Sequence, residues 1–285
     1  MSDAAGARFG ARLAAAVAAH GPLCAGIDPH PPLLAAWGLP DDAAGVERFG
    51  RTVVEALAGH VACVKPQAAF FERHGSRGVA ALERVVADAR AAGLLTIVDA
   101  KRGDIGSTMA AYADAFAGDS PLAGDAVTVS PYLGFGSLRP VLDVAAAHGR
   151  GVFVLALTSN PEGAAVQHAA GADGRSVARA VAEAAAAENA GARPSGDVGL
   201  VVGATTGSAV TDLGIDLAAV NGPLLAPGIG AQGATAEDLR RVFGDARRLV
   251  LAASSREVLQ AGPDAAALRG AARRSADALR AALGD

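Results

Sequence analysis

Leu94-Leu95-Thr96-Ile97-Val98-Asp99-Ala100-Lys101-Arg102-Gly103-Asp104 decides how the rest of the chain is read. Its first half, Leu94–Asp99, is a short β-rich apolar run. Its second half is a cluster of charges, and a helical pattern, Thr108–Phe116, follows. A buried strand that ends in charge and passes straight into a helix is one βα unit of a parallel sheet.

The same unit recurs in both directions. Strands are predicted at Pro22–Ile27, Ala62–Lys65, Leu94–Asp99, Ala126–Ser130, Gly151–Leu157, Val198–Val202, Leu224–Ala226 and Leu249–Ala252. Between them the spacing predicts helices at Val46–Leu57, Val79–Ala92, Thr108–Phe116, Leu138–Ala147, Ser176–Glu188, Ala209–Val220 and Ala236–Phe243, with Pro263–Leu283 closing the chain. One more helix, Gly6–Ala19, precedes the first strand, and the Gly/Ala-rich Glu162–Gly174 reads as a long loop. Eight repeats favour closure into an α/β (β/α)8 TIM barrel with an extra N-terminal helix over the rival open, doubly wound sheet. No linker-like segment divides the chain, so residues 1–285 are read as one catalytic domain.

Composition agrees. Apolar residues make up 51% of the chain while aromatics are only 4%, so Ala, Val, Leu and Gly must fill the core. A net charge of −4 argues against a nucleic-acid partner, which needs a basic surface. The two cysteines, Cys24 and Cys63, sit inside apolar runs and read as small buried residues of a cytoplasmic protein, not a disulfide framework. Asp3, Arg8 and Arg12 interrupt the Ala-rich start, so no signal peptide is read there, and no apolar run of about 18 residues suggests a membrane partner.

Polar residues gather at the carboxyl ends of the strands: Asp28, Lys65, Asp99, Lys101, Ser130, Ser159, Gln232 and Arg256. That end of a TIM barrel carries the active site. Side chains alternate along a strand, so Ile97, Asp99 and Lys101 share a face, and if Ile97 faces the interior the two charges top it. Gly103 then permits a sharp turn that returns Asp104, which predicts one ammonium bracketed by two carboxylates. A structural ion pair or a solvated loop would also account for the run, but desolvating three charges is a poor route to stability. Two acids near a lysine favour its ammonium form, whereas a Schiff-base lysine must be a free amine. Lys101 therefore reads as a cation and proton donor, which disfavours a class I aldolase.

After the seventh strand comes Pro227-Gly228-Ile229-Gly230-Ala231-Gln232-Gly233, and after the eighth Ser254-Ser255-Arg256. Barrels often hold phosphate in these two loops, where glycines admit an anion to backbone N–H groups and an arginine adds charge-assisted bonds. A plain turn is the bland alternative for the Gly-rich run. Neither a P-loop nor a dinucleotide fingerprint occurs, and the six histidines form no metal-binding pattern, so no cofactor and no metal are expected.

Asp99-Ala-Lys101-Arg-Gly-Asp104-Ile105-Gly-Ser-Thr108, followed by Tyr112-Ala113, resembles the active-site stretch of orotidine 5′-phosphate decarboxylases, and is most similar to their longer bacterial branch, often called type 2. Gly26–Pro29, Val64–Gln67, Ser130–Gly134, Thr158–Gly163, Pro227–Gly233 and Ser254–Arg256 carry the resemblance in order over nearly the whole chain. Pro66-Gln67 and Ser255 depart from the shorter branch, which commonly has Ile-Gly and Gly there. The resemblance implies decarboxylation of orotidine 5′-phosphate to UMP, the last step of de novo pyrimidine biosynthesis, by a cytoplasmic homodimer. It implies that Lys101 protonates C6 of the pyrimidine, that Asp99 lies beside the substrate carboxylate, and that Asp104 and Thr108 reach the ribose of the neighbouring subunit's site. Asp28 and Lys65 resemble the other ribose contacts, and Ser159 and Gln232 the residues near the pyrimidine and phosphate loop. Arg256, with Pro227, Gly228, Gly230 and Ser255, resembles the phosphate grip.

Two other functions fit part of the pattern. The Asp-x-Lys-x-x-Asp core is shared with metal-dependent phosphosugar barrels, such as keto-sugar phosphate decarboxylases and hexulose phosphate synthases. A barrel without catalysis could sense UMP or a phosphosugar, although the intact acid–lysine–acid set argues against it.

Overall fold

All eight apolar runs form strands: β1 Leu23–Ile27, β2 Cys63–Pro66, β3 Leu95–Arg102, β4 Ala126–Val129, β5 Gly151–Leu157, β6 Val198–Val202, β7 Leu224–Pro227 and β8 Val250–Ser254. The computed structural model describes residues 7–229 and 233–284. In it the strands pair in parallel in chain order, and β8 closes onto β1 to complete a barrel. The open-sheet alternative is thereby excluded.

Two apolar layers hold this arrangement together. Inside the barrel, Cys24, Cys63, Ile97, Phe153, Val201, Leu225 and Leu251 form a buried cluster. Intervening strand residues such as Ala25, Val64, Val98 and Val154 face outward into a larger cluster shared with the helices. Both cysteines are buried and free, as their apolar surroundings predicted. The two-residue period of the strands thus divides one continuous apolar sequence between two cores.

The extra N-terminal helix, Phe9–His20, closes the amino end of the barrel. Phe9 and Leu13 join the interior cluster, and Phe9 meets Phe153 edge-on with centroids 5.9 Å apart. Gly151 makes room for it, since a Cβ there would lie 2.1 Å from the Phe9 ring.

Several predicted boundaries change. The predicted helix Ala209–Val220 shrinks to Ala209–Asp212. Gly214, at φ +63°, ends it, because a left-handed residue cannot continue a right-handed turn. Ile215, Leu217 and Val220 are buried as an irregular segment instead. The loop predicted at Glu162–Gly174 contains a helical turn at Ala164–Gln167. Short helices at Pro31–Ala36, Ala68–Glu72 and Arg256–Leu259 have no predicted counterpart. They span too few turns to show a period. Among the described residues no helix is long and apolar enough to cross a membrane.

Candidate active site

At the carboxyl end of the barrel the inward rows of the first four strands change from apolar to polar. In β1 the row runs Cys24, Gly26, Asp28; in β2, Cys63, Lys65, Gln67; in β3, Ile97, Asp99, Lys101; in β4, Ala126, Thr128. Above the apolar members, Gly26, Asp28, Lys65, Gln67, Asp99, Lys101 and Thr128 line a pocket of about 380 Å³, together with Thr158, Ser159 and Asn160 after β5, Gly203 after β6, Pro227 and Gly228 after β7, and Ser254 and Ser255 after β8.

Asp99 is its electrostatic centre. It is 7% exposed and accepts from the ammonium groups of two lysines, Lys65 Nζ at 2.6 Å on Oδ2 and Lys101 Nζ at 2.5 Å on Oδ1. Thr128 Oγ1 donates to Oδ1 at 2.9 Å, and the same hydroxyl accepts the Lys101 backbone N–H at 3.0 Å. With its amide nitrogen turned toward Asp99, Gln67 donates to Oδ2 at 3.1 Å and to the Asp99 carbonyl at 2.7 Å. Burial alone would raise the Asp99 pKa, but the attraction of Lys65 and Lys101 and their hydrogen bonds outweigh it and hold the carboxyl at about 2. Lys65 is buried, which favours its neutral form, yet Asp99 and then Asp28 more than compensate and hold it above the ordinary lysine value.

The predicted bracket is thus inverted. Two ammonium groups flank one carboxylate, rather than two carboxylates one ammonium. Asp104 forms no ion pair among the described residues; its Oδ1 accepts from the N–H of Ile105 at 2.8 Å, and it does not line the pocket. The cause is the turn. Gly103 packs against the end of β4, where a Cβ would lie 2.3 Å from the Ser130 carbonyl oxygen, so the glycine serves close approach rather than a reversal toward Lys101. The β3–β4 register shifts between Val98 and Arg102. Across this irregularity Lys101 adopts φ +48°, a left-handed conformation that costs a non-glycine residue roughly 1–2 kcal/mol. Arg102 faces away, pairing with Glu72 and lying over the rings of Tyr112 and Phe116 at 5.7 and 5.2 Å.

Of the other residues singled out in the sequence, Asp28, Lys65, Ser159, Pro227, Gly228 and Ser255 line the pocket with Asp99 and Lys101. Asp28 Oδ1 is buried and has no hydrogen-bond partner among the described residues. Arg256 borders an adjoining hollow with His30, Thr205 and Gln260, and that hollow shares Gly228, Ala253, Ser254 and Ser255 with the main pocket. Thr108 is exposed on the helix Gly106–Ala117 and, like Ser130, lines neither. Gly230 and Gln232 lie outside the described residues. Gln67 and Thr128 had no assigned role. The alternation that places Lys65 inward also places Gln67 there, two residues on, and would have found it.

No group of three or more His, Cys, Asp or Glu among the described residues is arranged to hold a metal ion. The arrangement offers instead a buried carboxylate with two ammonium groups, an orphaned acceptor, and at the far wall a glycine–serine loop pair beside an arginine.

Comparison with known proteins extends this geometry. Residues 21–271 match the family described as "Orotidine 5'-phosphate decarboxylase / HUMPS family". The chain is 66% identical over 276 residues to an orotidine 5′-phosphate decarboxylase of Salinispora arenicola, covering 96% of this chain and 98% of that one. It is 63% identical over 277 residues to that of Streptomyces coelicolor, with the same coverage. A solved structure from Streptomyces avermitilis superposes with a TM-score of 0.94 at 61% identity, covering 100% of both chains, and Leishmania donovani OMP decarboxylase with 0.74 at 32% identity, covering 98% of this chain and 100% of that one. On sequence over nearly its full length and on structure alike, the chain belongs to the orotidine 5′-phosphate decarboxylase / HUMPS family.

Proposed function

We propose that this protein decarboxylates orotidine 5′-phosphate to UMP and CO₂, the last step of de novo pyrimidine biosynthesis, as a one-domain cytoplasmic enzyme that uses no metal or cofactor. The observation that carries the reading is Asp99 held between Lys65 and Lys101 at the floor of the pocket.

The chemistry needs such a group. When the C6–carboxylate bond breaks, its electron pair stays on C6 and CO₂ departs. The carbanion has no conjugated sink, so a fixed cation at that carbon must stabilise the developing charge. Lys101 supplies that cation and then a proton to C6, and water restores its ammonium. Asp99 holds Lys101 in place from within a set of four donors and opposes the incoming substrate carboxylate. Asp28, through its unpartnered Oδ1, and Lys65 take the ribose hydroxyls, and Ser159 faces the pyrimidine. Pro227, Gly228, Gly230, Gln232, Ser255 and Arg256 enclose the phosphate. Binding energy from that remote group offsets the cost of bringing two carboxylates together.

Asp104 and Thr108 belong, on this reading, to the site of a second subunit. They stand outside their own pocket, and the neighbouring loops expose Ile105 at 61%, Tyr132 at 77% and Leu133 at 52%, an apolar surface suited to a two-fold contact. Mixing Asp104→Ala with Asp28→Ala protein should restore part of the activity, because one of the two mixed sites is intact. No recovery after demonstrated subunit exchange overturns the shared site.

The activity itself is tested by following orotidine 5′-phosphate in the ultraviolet with and without EDTA. Turnover that survives the chelator is expected. Turnover lost with it points to the metal-dependent phosphosugar chemistry of related barrels.

A further inference from the structure

At the opposite end of the barrel, Arg8, Arg12, Arg90 and Arg150 line a second cavity of about 630 Å³, with His148 on its wall and Asp125 as its one lining carboxylate among the described residues. The walls come from separate parts of the fold. Arg8 precedes the helix Phe9–His20 and Arg12 lies on it, Arg90 is in the last turn of the helix Gly75–Ala91, and Asp125 and Arg150 stand just before β4 and β5.

Most of these charges have partners. Arg12 pairs with Asp125 and donates to the Gly149 carbonyl at 3.1 Å. Arg90 donates to the Ala123 carbonyl at 2.7 Å, and Arg8 Nε lies 3.4 Å from Asp197 Oδ2. His148 sits 2.9 Å from the Val144 carbonyl and 3.6 Å from Asp119 Oδ2. Asp125 is engaged through both oxygens, the second accepting the Thr96 N–H at 2.9 Å, and with Asp119 it attracts Arg150 without bonding it. Arg150 is the exception. It has no acceptor among the described residues, and its Nη1 is shut off from water. Burial and then repulsion from Arg90 push its pKa below the ordinary arginine value.

The helices Gly75–Ala91 and Arg139–Ala147 both end here, and their negative ends explain why cations gather. They do not explain a half-buried guanidinium whose Nη1 is shut off from water without an acceptor, since a buried unpaired donor is costly. Turning that guanidinium into the cavity would place its free nitrogens on a bound anion. Several guanidinium forks facing one space suit a tetrahedral oxyanion, which can accept from more than one fork at once. The cavity is far larger than a bare ion and within the roughly 300–1,000 Å³ of small-molecule sites.

We propose that this basal cavity is a second anion site, in which Arg90 and Arg150 grip the phosphate group of a small phosphorylated molecule. The inference is independent of the reading of the opposite mouth.

The test is calorimetric titration of inorganic phosphate and of ribose 5-phosphate into two proteins, Arg256→Ala and the triple variant Arg256→Ala, Arg90→Gln, Arg150→Gln. The opposite mouth is altered equally in both, so their difference reports the basal cavity alone. Binding at least tenfold weaker in the triple variant, for either ligand, is expected. Ribose 5-phosphate binding tighter than phosphate assigns an organic phosphate, and equal affinity assigns the free ion. Equal affinities and heats in the two proteins overturn the proposal, as does an effect that sodium chloride of matched ionic strength reproduces. Should the triple variant not fold, Arg150→Lys in the Arg256→Ala background keeps the charge but loses the fork; several-fold weaker binding there supports the site, and unchanged binding removes it.

Discussion

Lys65 Nζ lies 2.6 Å from Asp99 Oδ2, an ion pair between neighbouring strands in which both partners are less than a tenth exposed. Its energetics are asymmetric. Removing one member leaves the other buried and uncompensated, at a cost of roughly 3–5 kcal/mol. Asp99→Asn should therefore be much less stable than the wild type near neutral pH, as measured by urea unfolding.

The acid limb of the stability profile should carry the same signature. Asp99 has a folded-state pKa of about 2 against an ordinary 3.8, so its carboxylate stabilises the fold above the ordinary value. That contribution is lost as pH falls from the ordinary value through the folded one. Between pH 5 and pH 2 the loss amounts to roughly 2 kcal/mol, because the carboxyl is still half ionised at the lower pH. Unfolding free energies at pH 5 and pH 2 should converge by about that amount between wild type and Asp99→Asn. Parallel acid limbs in the two proteins refute the assignment.

Lys101 combines the charge proposed to protonate C6 with an unfavourable backbone, at φ +48° and with its side chain 43% exposed. Lys101→Ala and Lys101→Gly should both lose turnover. They should differ in stability, with the glycine variant more stable by about 0.5–1 kcal/mol because only glycine adopts that conformation without strain. Thermal melts of the two variants check this, and equal stability would remove the claim of local strain.

The orphaned acceptor at Asp28 makes a separate prediction. Its buried Oδ1 accepts no hydrogen bond among the described residues, but its charge helps to hold Lys65 protonated, so Asp28→Ala should cost on the order of 1 kcal/mol of stability. Affinity for UMP should fall at least tenfold, about 1.4 kcal/mol, if that oxygen holds a ribose hydroxyl. Titration of UMP into both proteins decides it; an unchanged dissociation constant would reject the contact.

Phe9 tests the closure of the barrel's amino end. The ring is fully buried against Phe153 and Gly151, so Phe9→Ala should cost roughly 3–5 kcal/mol. The pocket lies at the other end, so UMP affinity at a temperature where the variant is folded should stay within about twofold. A variant as stable as wild type would mean the helix does not seal the barrel.

The eight strands and the shared face of Asp99 and Lys101 were legible in the sequence because they rest on local periodicity, and Asp28, Lys65 and the glycine–serine loops beside Arg256 stood out by their places at the carboxyl ends of those strands. A strand's two-residue alternation and its apolar-to-polar change at the carboxyl end are properties of adjacent residues, readable without knowing the neighbours. That Asp104 does not meet Lys101 within its own chain was not legible, for the opposite reason. Whether the turn at Gly103 folds back toward Lys101 or packs on Ser130 depends on where β4 ends, which lies on another segment. The same holds for Lys65 as the second partner of Asp99, for Thr128 between Asp99 and the Lys101 backbone, and for the arginines collected beneath the barrel from three distant segments. Sequence alone determined the barrel and which side chains face its axis, since both follow from spacing along one chain. Only the tertiary structure decided which charges meet, because ion pairs form across hydrogen-bonded strands whose register is set by the closure of the whole sheet.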